Sequence, residues 1–239
     1  MPEYGVNTWT DEEFVGNYLT GADIFQVDRP NMINIMKSFY IHFMFNKSNK
    51  KILDLGCGDG IMTHEILKID PEISTTLVDG SDDMLKHAKL RLAEYERLTY
   101  IKSILQQLPD NKELKGGFDF IFSSMVIHHL NMKEKTDIFK FIYNNLKPGG
   151  YFINLDVVLC PNAALEKWAL ELWRQRIKAH QQKVSANKDY TNIPDKYKKL
   201  EENIPDTLDD QLNAMREIGF KPVDCLYKYG IFTVFVGGR

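Results

Sequence analysis

Residues 52–60 read IleLeuAspLeuGlyCysGlyAspGly, a run of aliphatics ending in an acid and alternate glycines. Glycine permits a tight turn and removes the side chains that would hold a ligand off the backbone. Asp54, Gly56, Gly58 and Gly60 therefore describe a ligand-binding turn at the end of a buried strand. The dinucleotide fingerprint GxGxxG would need its third glycine at position 61, which is Ile61. An acid just ahead of the turn repels a pyrophosphate and suits a ligand with an amino group. Asp79 ends the next apolar run, where a carboxylate can accept both hydroxyls of a ribose. His128 and His129 are the natural bases, because a neutral imidazole is poised near neutral pH. Adjacent residues cannot both face one cleft, so one is expected toward the ligand and the other in a local hydrogen bond. No third ligand is spaced with the pair, and no metal is expected.

Positioning these groups needs a scaffold. Strands are expected at 51–55, 74–78, 100–103, 118–124 and 151–158, with helices at 61–68, 82–96 and 136–146 between them. Ser81 caps the second of these helices, whose inner face carries Met84, Leu85, Ala88 and Leu92. LysProGlyGly, 147–150, is a stop signal for the third. Residues 8–46 read as helical, with breaks at Gly21 and Asp28-Arg29-Pro30 and a capping box at Thr10 and Glu13. A helix at 163–175 interrupts the alternation, with Leu165, Trp168, Ala169 and Leu172 on one stripe and Trp168 packed on the core. Thr207 caps a last helix, with Leu208, Leu212 and Met215 inward and Gly219 just past its end. Two closing strands, 223–230 and 231–236, suggest an antiparallel pair at the sheet edge.

The expected fold is α/β: a Rossmann-like, seven-stranded, mostly parallel sheet with helices on both faces. N-terminal helices and a helical insertion before the last helix would form a lid. The expected units are a helical cap (1–47), a binding core (48–160), a lid insertion (161–206) and a closing helix with edge strands (207–239).

LDLGCGDG, LVDGSDDML, FDFIFSSMVIHHL and LKPGGYF follow one another in this order. On these motifs the chain resembles the class I S-adenosylmethionine-dependent methyltransferases, strongly over 48–160 and more loosely in the terminal strands. The resemblance implies S-adenosyl-L-methionine as cofactor, with Gly56 and Gly58 against its methionine part and Asp54 near its ammonium. It implies Asp79 on the ribose and Gly80 and Met84 against the adenine. The family's acid for the adenine amino group falls at Ile104, which leaves the Leu105 backbone and Gln106 as replacements. Ser123 is implied near the transferred methyl. Tyr18 and Arg29 match relatives that hold the cofactor carboxylate, Arg29 as a bidentate donor; a surface arginine at a helix start is the plainer reading. In this family HisHisLeu often buttresses the pocket rather than reacting.

Methyl transfer is an in-line displacement at a sulfonium, so alignment supplies on the order of 7 kcal/mol or more of the barrier. A general base adds roughly 100-fold or more. The expected function is methyl transfer from S-adenosylmethionine to O, N or C of a small molecule. The segment 123–126 lacks the ProPro motif of base-amine methylation, and Cys160 precedes a proline rather than following one. Asp156 either reaches a substrate or faces water. Trp173 and Arg176 share a face that would suit an anionic substrate, against a reading in which the helix packs on the core by Trp168 and the arginines are solvated.

The insertion and closing segments also resemble, more faintly, the carboxy-S-adenosylmethionine synthases. A Trp- and Arg-rich helix, a long polar connection and an AspAspGlnLeu helix leading to GlyPhe carry that likeness. Those enzymes need an arginine for the added carboxylate, and 193–199 offers only lysines. A non-catalytic cofactor-binding protein and, further off, a dehydrogenase also compete with the methyltransferase reading. The net charge of -3 supplies no global field for nucleic acid. Three scattered cysteines suit a reducing compartment, and no signal peptide or bilayer-spanning run is apparent. A cytoplasmic enzyme with a small-molecule methyl acceptor is expected, and an exposed apolar lid would be the surface for a homodimer.

Overall fold

The computed structural model describes residues 11–111, 114 and 116–239. Its strands are β1 (Lys51–Leu55), β2 (Ser74–Asp79), β3 (Leu98–Lys102), β4 (Phe118–Ser124), β5 (Leu146–Val157), β6 (Val223–Tyr229) and β7 (Phe232–Gly238). They form one seven-stranded sheet in the order β3-β2-β1-β4-β5-β7-β6. Pairing is parallel from β3 through β5, and only β7 runs the other way, antiparallel to both β5 and β6. The chain winds outward from β1 in both directions, so a crevice opens between the carboxyl ends of β1 and β4.

Helices α1 (Glu12–Phe25), α2 (Arg29–Phe43), α3 (Ile61–Leu67), α4 (Asp82–Arg91), α5 (Met132–Asn145), α6 (Ala163–Lys183), α7 (Ile193–Lys199) and α8 (Leu208–Ile218) cover the sheet. Strand β1 shows why the central strands are apolar throughout: Ile52 joins the core under α2, α3 and α6, while Leu53 and Leu55 join the core under α5 and α8. Caps fix the helix starts. Ser81 Oγ accepts from Met84 N (3.3 Å), and Thr207 Oγ1 accepts from Asp210 N (3.2 Å).

Several boundaries differ from the sequence expectation. Helix α5 begins at Met132 because Asn131 and Glu134 form a reciprocal capping box. LysProGlyGly lies inside β5 rather than in a loop, where the register against β4 shifts between Phe118 and Phe120. Gly150 is required there, since a Cβ would sit 2.9 Å from the Lys147 carbonyl oxygen. Helix α4 stops at Arg91. The capping box expected at Thr10 lies outside the described residues. Gly21 does not break α1: it lets the Tyr190 ring approach to where a Cβ would be 2.4 Å away.

The insertion helix is also rotated from its expected setting. Ala169, Trp173 and Ile177 are its buried residues, whereas Trp168 is 57% exposed and Leu165 46%. Trp173 donates its Nε1 hydrogen to the Phe25 carbonyl (2.7 Å) and packs edge-on against Phe232. Arg176 does not line the cavity described below. Both its terminal nitrogens bond Asp28, a fully buried carboxylate that also accepts from the Tyr227 hydroxyl (2.7 Å). These contacts fasten the insertion to the junction between α1 and α2. Among the described residues no helix is long and apolar enough to cross a membrane.

Candidate functional site

A cavity of about 430 Å³ occupies the crevice at the ends of β1, β2, β3 and β4. The glycine turn forms its floor. Gly56, Gly58 and Gly60 all adopt positive φ, at 68°, 52° and 77°, the left-handed region where a Cβ brings strain. Gly56 serves packing, because a Cβ would lie 2.4 Å from Val126. Gly58 serves access: the nearest atom to its Cβ position is the Met84 sulfur, 4.0 Å away. Gly60 starts α3.

Asp79 joins the two turns that border the floor. Its Oδ2 accepts from Gly58 N (2.8 Å) and its Oδ1 from Ser81 N (2.9 Å). Burial raises its pKa, and these backbone bonds oppose the rise. Each carboxylate oxygen keeps a second lone pair for a ligand hydroxyl. Gly80, Met84, Ile104 and Leu105 continue the wall beyond Asp79 as an apolar slot. The opposite end is closed by the cap, through Tyr18, Gln26 and Arg29. Gln26 donates to the Tyr18 hydroxyl (2.7 Å) and accepts from Arg29 Nε (2.7 Å), so the three side chains are set by one another. Arg29 also pairs with Asp23 at 2.7 Å.

Three of the expected site residues stand behind the wall instead of on it. Asp54 is buried, facing α3, where Thr63 Oγ1 donates to its Oδ2 (2.7 Å). Its Oδ1 has no hydrogen-bond partner among the described residues. Burial is the main cause of a pKa raised to about 7, with Asp79 and Asp59 adding like charge. Ser123 is buried and donates to the Leu55 carbonyl (2.9 Å), so the next residue, Ser124, reaches the cavity in its place. His128 is turned inward. Its Nδ1 lies 2.6 Å from Asp156 Oδ1, and its backbone N–H donates to Asp156 Oδ2 (3.0 Å). Asp156 is thereby neither solvent-facing nor on the cavity wall.

His129 does line the cavity. Its Nδ1 is 3.1 Å from the Glu202 carbonyl. A carbonyl only accepts, so Nδ1 carries the hydrogen and Nε2 holds the lone pair. Burial, His128 and the Lys135 charge push the His129 pKa well below the ordinary value, against the Glu202 bond, so the ring stays neutral. The tail that carries Glu202 is held from below by Lys135. This fully buried lysine donates to the Leu130 and Ile204 carbonyls and pairs with Asp206 at 2.5 Å.

Sequence reasoning passed over Gln26, Asp59, Met125 and Val126, all on the wall. Asp59 is held by Arg91, through an ion pair and a 3.0 Å bond to its carbonyl. Asp59, Met125 and Val126 lie inside the quoted motifs without having been singled out, and Gln26, three residues before Arg29, had no signal of its own.

Bare glycine backbone beside Asp79, an apolar slot and a cationic far end fit a ligand with a ribose, a flat base and an amino-acid tail. The orphaned Asp54 Oδ1 beneath the turn fits a ligand with a positive charge. Comparison with known proteins agrees. Residues 53–152 match a family model described as a methyltransferase domain. Carboxy-S-adenosyl-L-methionine synthase of Campylobacter fetus is 26% identical over 79% of this chain and 76% of its own length. The enzyme of that name from Nautilia profundicola is 22% identical over 85% and 81%. Malonyl-[acyl-carrier protein] O-methyltransferase 2 of Ilyobacter polytropus is 30% identical, over 43% of this chain and 37% of that protein.

Solved structures share the fold. An O-methyltransferase family protein of Burkholderia thailandensis superposes with a TM-score of 0.66 at 14% identity, over 96% of this chain and 60% of that one. The CurJ carbon methyltransferase gives 0.67 at 17% identity, over 94% and 58%. The chain thus spans about three fifths of the length of these structures.

Proposed function

We propose that this chain is a class I S-adenosylmethionine-dependent methyltransferase, as the methyltransferase-domain match over 53–152 supports, and that the cavity passes the cofactor's methyl group to O, N or C of a small molecule. Asp79 carries this reading: it is fixed by Gly58 and Ser81 beside open glycine backbone, at the crevice between β1 and β4. The S-adenosylmethionine sulfonium supplies a methyl on a good leaving group. Within this reading Asp79 takes the ribose, Gly80, Met84, Ile104 and Leu105 enclose the adenine, and Tyr18, Gln26 and Arg29 face the amino-acid end. His129 is the base candidate, because it is neutral, on the wall, and has its tautomer set by a carbonyl. His128, held by Asp156, supports it from behind by ring contact. The described part of the 1–47 cap, residues 11–47, and the insertion 161–206 close over the core of 48–160 in this reading, and 207–239 completes it. The three free cysteines fit a reducing compartment, and the cytoplasm is the proposed location. The homodimer expected from an apolar lid would use the exposed Leu165 and Trp168.

A second reading, carboxylation of the cofactor itself, is favoured by one observation. The two relatives described above that align over 79% and 85% of the chain are both carboxy-S-adenosyl-L-methionine synthases. An added carboxylate needs a cation, and Arg29 and Lys102 are the cationic side chains on the wall among the described residues. Each is paired with an aspartate, but Lys102 ends β3 beside the Ile104–Leu105 slot, whereas Arg29 belongs to the cap end of the cavity and is the candidate for the added carboxylate. Mass spectrometry of the ligand released from freshly purified protein separates the two readings. S-adenosylmethionine or its demethylated product supports the first, and a cofactor heavier by a carboxylate supports the second. Release of neither, with no uptake of added S-adenosylmethionine, would remove both.

A further inference from the structure

Asp28 occupies the N-cap of α2, where an aspartate ordinarily accepts from the first turn of the helix, yet its side chain makes no cap bond. The carboxylate is fully buried and serves other elements instead. Arg176 clasps it with both terminal nitrogens, and the Tyr227 hydroxyl donates to its Oδ1 (2.7 Å). Burial, and after it Asp28, pushes the Tyr227 pKa up to about 12, so the hydroxyl keeps the proton it donates. The Arg176 guanidinium also lies 4.6 Å over the Tyr229 ring, a cation–π contact that helps to hold it in place. Trp173, one turn earlier on α6, bonds the Phe25 carbonyl. One face of α6 thus grips the α1–α2 junction at both Phe25 and Asp28, on either side of Gln26 in the chain. Asp28, Trp173, Arg176 and Tyr227 all stand off the cavity wall, whereas Gln26 and Arg29 are on it.

We propose that Asp28, Arg176 and Tyr227 are positioning residues for the amino-acid end of the cofactor: their grip on the junction keeps Gln26 and Arg29 set before the ligand arrives. The inference rests on the cofactor reading above, in which those two side chains face that end. Holding a rotamer-rich side chain in advance removes its ordering cost from binding. A loosened junction therefore weakens the contacts to the ligand's tail. The nucleoside end, at Asp79, Gly80 and Met84, lies on β2, α4 and the turn between them, and keeps its affinity.

Calorimetric titration with S-adenosylhomocysteine and methylthioadenosine tests it without an acceptor substrate, since the second ligand has the same nucleoside and sulfur but no amino-acid group. The native protein should prefer S-adenosylhomocysteine by about tenfold or more. Arg176→Gln should lower that preference by about fivefold and Tyr227→Phe by about threefold, with methylthioadenosine affinity within about twofold of native in both. Tyr227→Phe keeps the ion pair, so it decides the matter should Arg176→Gln not fold. Arg174→Gln, on the same helix but paired with Glu171 and Asp195 away from the cavity wall, should leave the preference unchanged. A preference unaltered in both junction variants, a loss shared equally by the two ligands, or equal affinities in the native protein would overturn the assignment, while bound S-adenosylhomocysteine leaves the cofactor reading standing. Failure of the native protein to bind S-adenosylhomocysteine would overturn both.

Discussion

Replacing Asp54 by Asn tests the charge beneath the glycine turn. The carboxyl is buried, its pKa is raised from 3.8 to about 7, and burial is the leading cause. The folded state therefore keeps a proton that the unfolded chain has lost between about pH 4 and pH 7. In that window the unfolded state binds fewer protons, so stability falls as pH rises, and the loss is complete above pH 7. The interval from 3.8 to about 7 corresponds to roughly 4 kcal/mol at most. Asn keeps an oxygen to accept from Thr63 and has no charge to desolvate. Urea denaturation from pH 4 to pH 8 should give nearly equal stabilities at the acid end. Above pH 7 the variant should be the more stable, by up to about 4 kcal/mol. A cation in the cavity favours the carboxylate, so cofactor binding near pH 7 should release a proton that the variant does not release. Calorimetry in two buffers of different ionisation heat detects it. A stability difference that stayed constant across the range would refute the reasoning, because no proton would then be linked to folding at this site.

Asp79→Ala should weaken S-adenosylhomocysteine binding by about 2 kcal/mol or more, since two ribose bonds to a charge are lost; unchanged calorimetric affinity would misplace the cofactor. Lys135→Met should destabilise the fold by about 3 kcal/mol in urea, because Asp206 and two carbonyls lose their buried donor. Trp173→Ala should cost about 3–5 kcal/mol, whereas Trp168→Ala, at an exposed position, should stay within about 0.5 kcal/mol; equal costs in thermal unfolding would reverse the rotation found for α6.

What the sequence revealed was local. The glycine turn, the apolar strands and the Ser81 and Thr207 caps each rest on a few neighbouring residues, and each is present. Errors arose where the partner was distant. Trp168 and Trp173 are both on plausible stripes of α6, and only contact with Phe25 and Phe232 decides which is buried. Gly21 looked like a break because its reason, the Tyr190 ring, comes from the insertion. Ser123 was misplaced by a single residue, and for the histidine pair the expectation of one ring inward and one toward the ligand did not tell which. Alternation along a strand or a tight turn sends neighbours to opposite sides, and motif spacing does not fix which neighbour faces the ligand. The Asp28–Arg176 pair was invisible for the same reason, being separated by 148 residues.

That pair has a consequence for how the protein is made. Asp28 sits between Gln26 and Arg29, which wall the site, yet its partners are Arg176 and Tyr227, the latter 199 residues away. The sheet core from β1 to β5 needs nothing beyond residue 157 to pair its parallel strands. During synthesis from the N-terminus, the cap emerges before the core but has no anchor for its buried carboxylate until α6 has followed the sheet core, and the set is complete only with β6. A segment translated before the core is thus locked after it, and a chain truncated before Arg176 would carry the cofactor motifs without a fastened wall to enclose the ligand.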